Sequence, residues 1–153
     1  MNKRYLLLFI VFLLAIGSVS AANFENHDFD GYFTMDVPSG ATFQKDINET
    51  NEEGIKLIVA NYMSNDFAIM YMDSPLNTEN SSAWFYQSFF EVGNPDLTKC
   101  YERQEGNLKI LEPTTSNEAS FPVVGVSSGN KMIIIMGNDT DVLEQMGKSV
   151  EFQ

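Results

Sequence analysis

The pattern of apolar and polar positions divides the chain into a leader and a domain. Every residue from Tyr5 to Ile16 is apolar, Lys3-Arg4 precedes that run, and the small residues Gly17 to Ala22 follow it. A basic start, an apolar middle and a small-residue end make a secretory signal peptide. Val19-Ser20-Ala21 and Ser20-Ala21-Ala22 both fit the peptidase, so the mature chain is expected to begin at Ala22 or Asn23. Residues 1–22 are therefore read as leader and 23–153 as one domain. The rival reading is an uncleaved anchor, because the uncharged stretch Tyr5 to Ala22 approaches the ~20 residues that cross a bilayer. In that case the leader would be the protein's only tie to a membrane.

Beyond the leader the periodicity is mostly two, the spacing of strands. Tyr32 to Val37 reads as a strand that stops at Pro38-Ser39-Gly40, and Thr42 to Asp46 continues beyond that turn. The polar stretch Ile47 to Glu53 has the composition of a loop. Gly54 to Tyr62 and Asp66 to Asp73 predict a hairpin around Met63-Ser64-Asn65. In the second of these, Phe67, Ile69 and Tyr71 alternate with Ala68, Met70 and Met72, so both faces are apolar and the strand should be central. Further strands are predicted at Thr98 to Arg103, Leu108 to Leu111, Phe121 to Val126 and Lys131 to Met136. The last two are joined by the hairpin turn Ser127-Ser128-Gly129-Asn130, and Glu112 to Ser120 reads as a loop.

Two segments have helical spacing. In Ser81 to Val92, Phe85, Tyr86, Phe89, Phe90 and Val92 share one arc, and Trp84 falls on the other. In Thr140 to Ser149, Val142, Leu143, Met146 and Val150 share an arc, with Thr140 or Asp141 as the expected cap. Hairpins with two separated helices predict an α+β fold, an antiparallel sheet covered by two helices. Trp84 is the apolar side chain least explained by core packing, which makes it the candidate partner contact.

Charge narrows the function. The chain holds 9 basic and 21 acidic residues, a formal charge of −12. Loss of Lys3 and Arg4 with the leader leaves 7 basic residues and a charge of −14. Such acidity excludes the clustered Lys and Arg of nucleic-acid binders. One His and one Cys remove the usual zinc and iron–sulfur ligand sets. Cys100 has no internal disulfide partner, so it is either a small buried hydrophobe or an intermolecular link. Asn48, Asn80 and Asn138 stand in sequons and are glycosylation candidates in a host that glycosylates.

Gly31-Tyr32-Phe33-Thr34-Met35-Asp36-Val37-Pro38-Ser39-Gly40 is similar to the opening of PsbP-like domains, and Leu143-x-x-Met146-x-x-Ser149-Val150-x-Phe152 to their terminal helix and strand. The resemblance spans Gly31 to Phe152 and implies a PsbP-like sandwich. The chain departs from that pattern at Ala41, where many of these domains have Trp. Known members include the extrinsic photosystem II protein and a Ran-binding protein. The resemblance therefore implies an interaction module, and it transfers no functional residue.

The catalytic motifs in the chain lack the partners their chemistry needs. Gly125-Val126-Ser127-Ser128-Gly129 matches the nucleophile-elbow pattern, but the turn leads into a strand and His27 precedes the serine instead of following it. A Cys100–His27 pair has no thiolate-stabilising motif. Asn26-His27-Asp28-Phe29-Asp30-Gly31 resembles half of a Ca²⁺ loop, but the bidentate Glu that such a loop requires would fall on Val37. Asp28 and Asp30 remain only a secondary metal alternative. The expectation is thus a secreted or cell-surface binding module, non-catalytic and without cofactor, whose partner is a protein or an envelope component. Two alternatives are a carboxylate-based extracellular hydrolase acting on glycans and a Ca²⁺-dependent surface protein.

Overall fold

The computed structural model describes residues 23–52, 55–74, 100–113 and 121–153. Among the described residues ten strands and one helix follow in chain order: β1 Phe24–Phe29, β2 Phe33–Pro38, β3 Gln44–Glu52, β4 Ile55–Met63, β5 Phe67–Asp73, β6 Cys100–Glu105, β7 Leu108–Pro113, β8 Val123–Ser128, β9 Lys131–Gly137, α1 Thr140–Lys148 and β10 Glu151–Phe152. They build a three-stranded sheet in the order β1-β2-β10 and a seven-stranded sheet in the order β3-β4-β5-β9-β8-β7-β6. Every pairing is antiparallel.

The expected α+β domain with a sheet under two helices, the PsbP-like sandwich, is corrected by this architecture. The described residues are mostly β, in two sheets with one short helix. The inner face of the large sheet is covered by the small sheet with α1 beside it. Phe29, Phe33, Met35 and Val37 from the small sheet join Ile58, Tyr62, Ile69, Tyr71, Ile133 and Ile135 from the large one in a single buried cluster, which also takes in Leu143 and Met146 of α1. The second predicted helix, Ser81 to Val92, lies outside the described residues.

Two polar segments are strands because they form sheet edges. The stretch Ile47 to Glu53, expected as a loop, belongs largely to β3, which pairs residue for residue with β4 from Gln44↔Met63 to Glu52↔Ile55. An edge strand has only one paired side, and charged side chains there deter pairing with another chain. β1, read only as a turn and half of a Ca²⁺ loop, is the corresponding edge of the small sheet. Its inward positions are Glu25, His27 and Phe29, opposite Val37, Met35 and Phe33, so the apolar alternation shows at one end only.

The hairpin turns follow their residues. Gly129-Asn130 closes β8 onto β9 with Gly129 at φ 59°, a left-handed conformation that glycine adopts without a Cβ clash. Gly106-Asn107 repeats the same pair between β6 and β7, with Gly106 at φ 63°. β5 is an interior strand between β4 and β9, the central place its two apolar faces predict.

Helix α1 is anchored at three points. Asp139, one step before the expected cap residues, accepts hydrogen bonds from the amides of Asp141 (3.0 Å) and Val142 (3.2 Å). At Gly147 the helix approaches β7 and β8 so closely that a Cβ would meet Leu108 Cδ1 and Val124 Cγ1 at 2.7 Å. At the C-terminal end Ser149 Oγ accepts from the Asp36 amide (2.8 Å) and donates to the Met146 carbonyl (2.7 Å), tying the helix to β2.

Candidate functional site

An aromatic layer fixes the spacing of the two sheets. Phe29 stacks on Phe33 with centroids 4.5 Å apart and meets Tyr62 edge-on at 4.9 Å. Tyr32 stacks on Tyr71 at 5.1 Å. Two polar bridges close the seam along the β3 edge. Tyr62 donates its hydroxyl proton to Asp30 Oδ2 (3.0 Å), and Lys45 pairs with the other oxygen of the same carboxylate. Tyr32 donates to Glu49 Oε1 (2.6 Å), whose second oxygen lies 3.6 Å from Lys56 Nζ.

The electrostatics follow from these bonds. The hydrogen bond from Lys45 holds the Asp30 carboxyl below its usual range, against the opposing effect of burial. Burial, followed by the Asp30 bond, pushes the Tyr62 phenol up. Glu49 pushes Tyr32 to about 12, and Tyr32 in turn lowers Glu49. Both tyrosines therefore stay protonated donors near neutral pH and act as struts between the sheets, not as bases.

A second polar group binds the helix to the opposite sheet edge. Arg103 on β6 forks onto both carboxylate oxygens of Glu144, 3.2 Å on the Nη1 side, and reaches Glu105 Oε1 at 2.6 Å. Lys148 adds a second cation to Glu144. Arg103, with Lys148 behind it, depresses the Glu144 carboxyl to about 2. This is a paired, bidentate structural contact.

A concave surface lies at the end of the sandwich where two turns meet. Pro38, Ser39, Gly40, Ala41 and Thr42 from the β2–β3 turn face Ser64, Asn65, Asp66 and Phe67 from the β4–β5 turn, around a depression of about 160 Å³. Both turns are rigidly held. The Ala41 amide bonds to the Pro38 carbonyl (3.1 Å), and the Gly40 amide bonds to Glu25 Oε1 (3.0 Å). Ser64 Oγ caps its own turn by accepting from the amides of Asp66 (3.3 Å) and Phe67 (3.1 Å). The side chains of Ser39, Thr42, Asn65 and Asp66 take no part in those bonds and line the depression with hydroxyl, amide and carboxylate groups.

The structure separates the residues of the half Ca²⁺ loop. Asn26 Nδ2 bonds across the hairpin to Asp36 Oδ1 (3.1 Å), Asp28 Oδ1 accepts from the Gly31 amide (2.7 Å), and Asp30, at φ 55°, turns to Lys45 and Tyr62. The three side chains thus serve different partners. Among the described residues no group of three or more His, Cys, Asp and Glu side chains is placed to hold a metal ion. His27 packs edge-on against Phe29 at 4.6 Å and beside Phe43 at 5.1 Å, on the small sheet, whereas Ser127 lies on β8 of the large sheet. Cys100 begins the edge strand β6 opposite Pro113. Of the sequons, Asn48 is exposed on β3 and Asn138 is exposed before α1, and Asn80 lies outside the described residues. Trp84 lies outside them as well.

Sequence reasoning identified Pro38-Ser39-Gly40 and Met63-Ser64-Asn65 as turns but did not place them together. The antiparallel β3–β4 register, which brings Gln44 opposite Met63, sets the two turns side by side. Comparison of the chain with protein-family models, curated proteins and solved structures finds no match.

Proposed function

We propose that the protein is a secreted or cell-surface binding module that holds a partner protein or envelope component without carrying out bond chemistry. The observation that carries this reading is the turn-lined depression at the end of the sandwich. Its volume of about 160 Å³ is smaller than the ~300–1,000 Å³ of pockets that enclose small molecules. A recess of that size suits one protruding group of a larger partner, such as a side chain or a single sugar unit. Thr42, Asn65 and Asp66 offer it hydroxyl, amide and carboxylate contacts, and Phe67 and Pro38 supply an apolar floor. The turns sit on paired strands and are braced by internal hydrogen bonds, so little ordering would be lost on contact. The acidity of the remaining surface supports solubility and repels nonspecific polyanions.

The test is capture from the native extracellular and envelope fractions with immobilised mature domain, run beside the variant Thr42→Ala/Asn65→Ala/Asp66→Ala. A species held by the natural domain and lost with the variant is the expected result. Equal retention by both would show that this recess is not the contact, and failure of the natural domain to hold any species would overturn the binding reading.

A further inference from the structure

Among the described residues the longest open strand edge is β3. It runs for nine residues, about 30 Å, and pairs only with β4, whereas the edge strands β1, β6 and β10 have six, six and two residues. The register divides its side chains between two faces. Lys45, Ile47 and Glu49 stand opposite the buried Tyr62, Ala60 and Ile58 and point inward. Asp46, Asn48 and Thr50 stand opposite Asn61, Val59 and Leu57 and point outward. Lys45 and Glu49 are engaged with Asp30 and Tyr32, and the outward pair Asn48 and Thr50 is neutral. The middle of this edge thus lacks the free charge that deters pairing with another chain.

Asn48 is the fifth of the nine residues, the midpoint of the edge. It is exposed, and among the described residues its side-chain amide has no hydrogen-bond partner. Thr50 lies two positions on, and residues two apart in a strand share a face. The amide and the hydroxyl of the sequon Asn48-Glu49-Thr50 therefore stand together on the outward side, in extended backbone. The sequon at Asn138 is built differently. Its asparagine is exposed too, but Asp139 is occupied as the cap of α1 and Thr140 is the first residue of that helix.

We propose that Asn48 carries an N-linked glycan in the exported protein and that this glycan guards the open edge of β3. The proposal rests on the export expected from the leader. Its co-reactant is a lipid-linked sugar phosphate. Asn48 Nδ2 forms a bond to the anomeric carbon as the carbon–oxygen bond to phosphate breaks; the amide releases one proton and the lipid phosphate leaves. The product is a bulky, hydrated group on the surface. Placed at the midpoint, it leaves four residues of the edge on either side, fewer than the ~5–6 of an ordinary strand. It also stands beside the half-buried Leu57 and Val59 on the outward face of β4. The Tyr32–Glu49 and Lys45–Asp30 bridges lie on the opposite face, so the modification leaves the seam between the sheets intact.

Peptide mapping by mass spectrometry, on protein recovered from the medium or envelope of its native host, tests the inference. The peptide that holds Asn48 is expected to carry a carbohydrate mass. Thr50→Ser, which keeps the hydroxyl, should retain that mass, and Thr50→Val, which keeps Asn48 and suits a strand, should lose it. An unmodified Asn48 in the exported natural protein overturns the proposal, and so does a mass that survives Thr50→Val. Recovery of the protein from the cytoplasm alone would overturn the export reading and this proposal with it. The guarding role has its own readout. Asn48→Gln should scatter more light than the natural glycoprotein at equal concentration, with the same circular dichroism; equal scattering would show that the edge needs no guard.

Discussion

The inner and outer faces of the large sheet present two kinds of apolar surface. The inner face is built from Ile58, Ile69, Val124, Val126, Ile133 and Ile135 under an aromatic layer. β-Branched side chains have few rotamers, so this face offers a fixed relief to which the small sheet and α1 are fitted. Five of the eight methionines, Met63, Met70, Met72, Met132 and Met136, occupy outward positions on β4, β5 and β9. Methionine adapts to its neighbour. One side of the sheet specifies its cover by shape, and the other is lined by side chains that adapt to whatever they meet.

Substitutions that touch one face or the other test that contrast most strongly. Ile135→Ala removes a fully buried inner side chain and should cost about 2–5 kcal/mol in urea unfolding. A loss below 1 kcal/mol would show that the inner face is as adaptable as the outer one. Gly147→Ala probes the fit of the inner cover, because the added methyl meets Leu108 and Val124. The expected destabilisation is about 1–3 kcal/mol, and an unchanged midpoint would mean that the helix has room to shift. Met70→Leu on the outer face should cost less than about 1.5 kcal/mol; a larger loss would mean that this surface too demands a particular shape.

The smallest effect concerns the contact that clamps α1 to the inner side. Glu144 has its folded pKa lowered to about 2 from 4.5. A depressed carboxyl gives stability that is complete above its unfolded pKa and is lost as pH falls through the folded one. The melting temperature should therefore fall between about pH 4.5 and 2. Arg103→Met should shrink that fall while leaving the melting temperature near neutral pH little changed. Superimposable pH profiles for the two proteins would remove the clamp from the account.

Strands with a clear alternation were legible in the sequence: Phe33–Pro38, Phe67–Asp73 and Lys131–Gly137 lie within a residue or two of their expected bounds. The Gly129-Asn130 hairpin and the helix from Thr140 were legible for the same reason, a local pattern with a local cause. β1 and β3 were not, because an edge strand meets solvent on one side and can be polar without ceasing to pair. The fold class failed at that point. With two strands hidden, the cover of the inner face had to be assigned to helices. The recess was half legible, since its turns were recognised but their meeting depends on register. The Tyr32–Glu49 and Tyr62–Asp30 bridges join residues 17 and 32 positions apart and leave no local trace.

β2 is the one strand that both ends of the domain share. β1 pairs along its whole length, Glu151 and Phe152 of β10 pair with Thr34 and Phe33, and the Gln153 amide reaches the Tyr32 carbonyl at 3.0 Å. The hairpins of the large sheet close over short loops and can form as the chain emerges, but β2 meets β10 only across more than a hundred residues. Contacts of such separation are the slow ones in folding. The joining of β10 to the β1–β2 hairpin is therefore a late step in closing the small sheet.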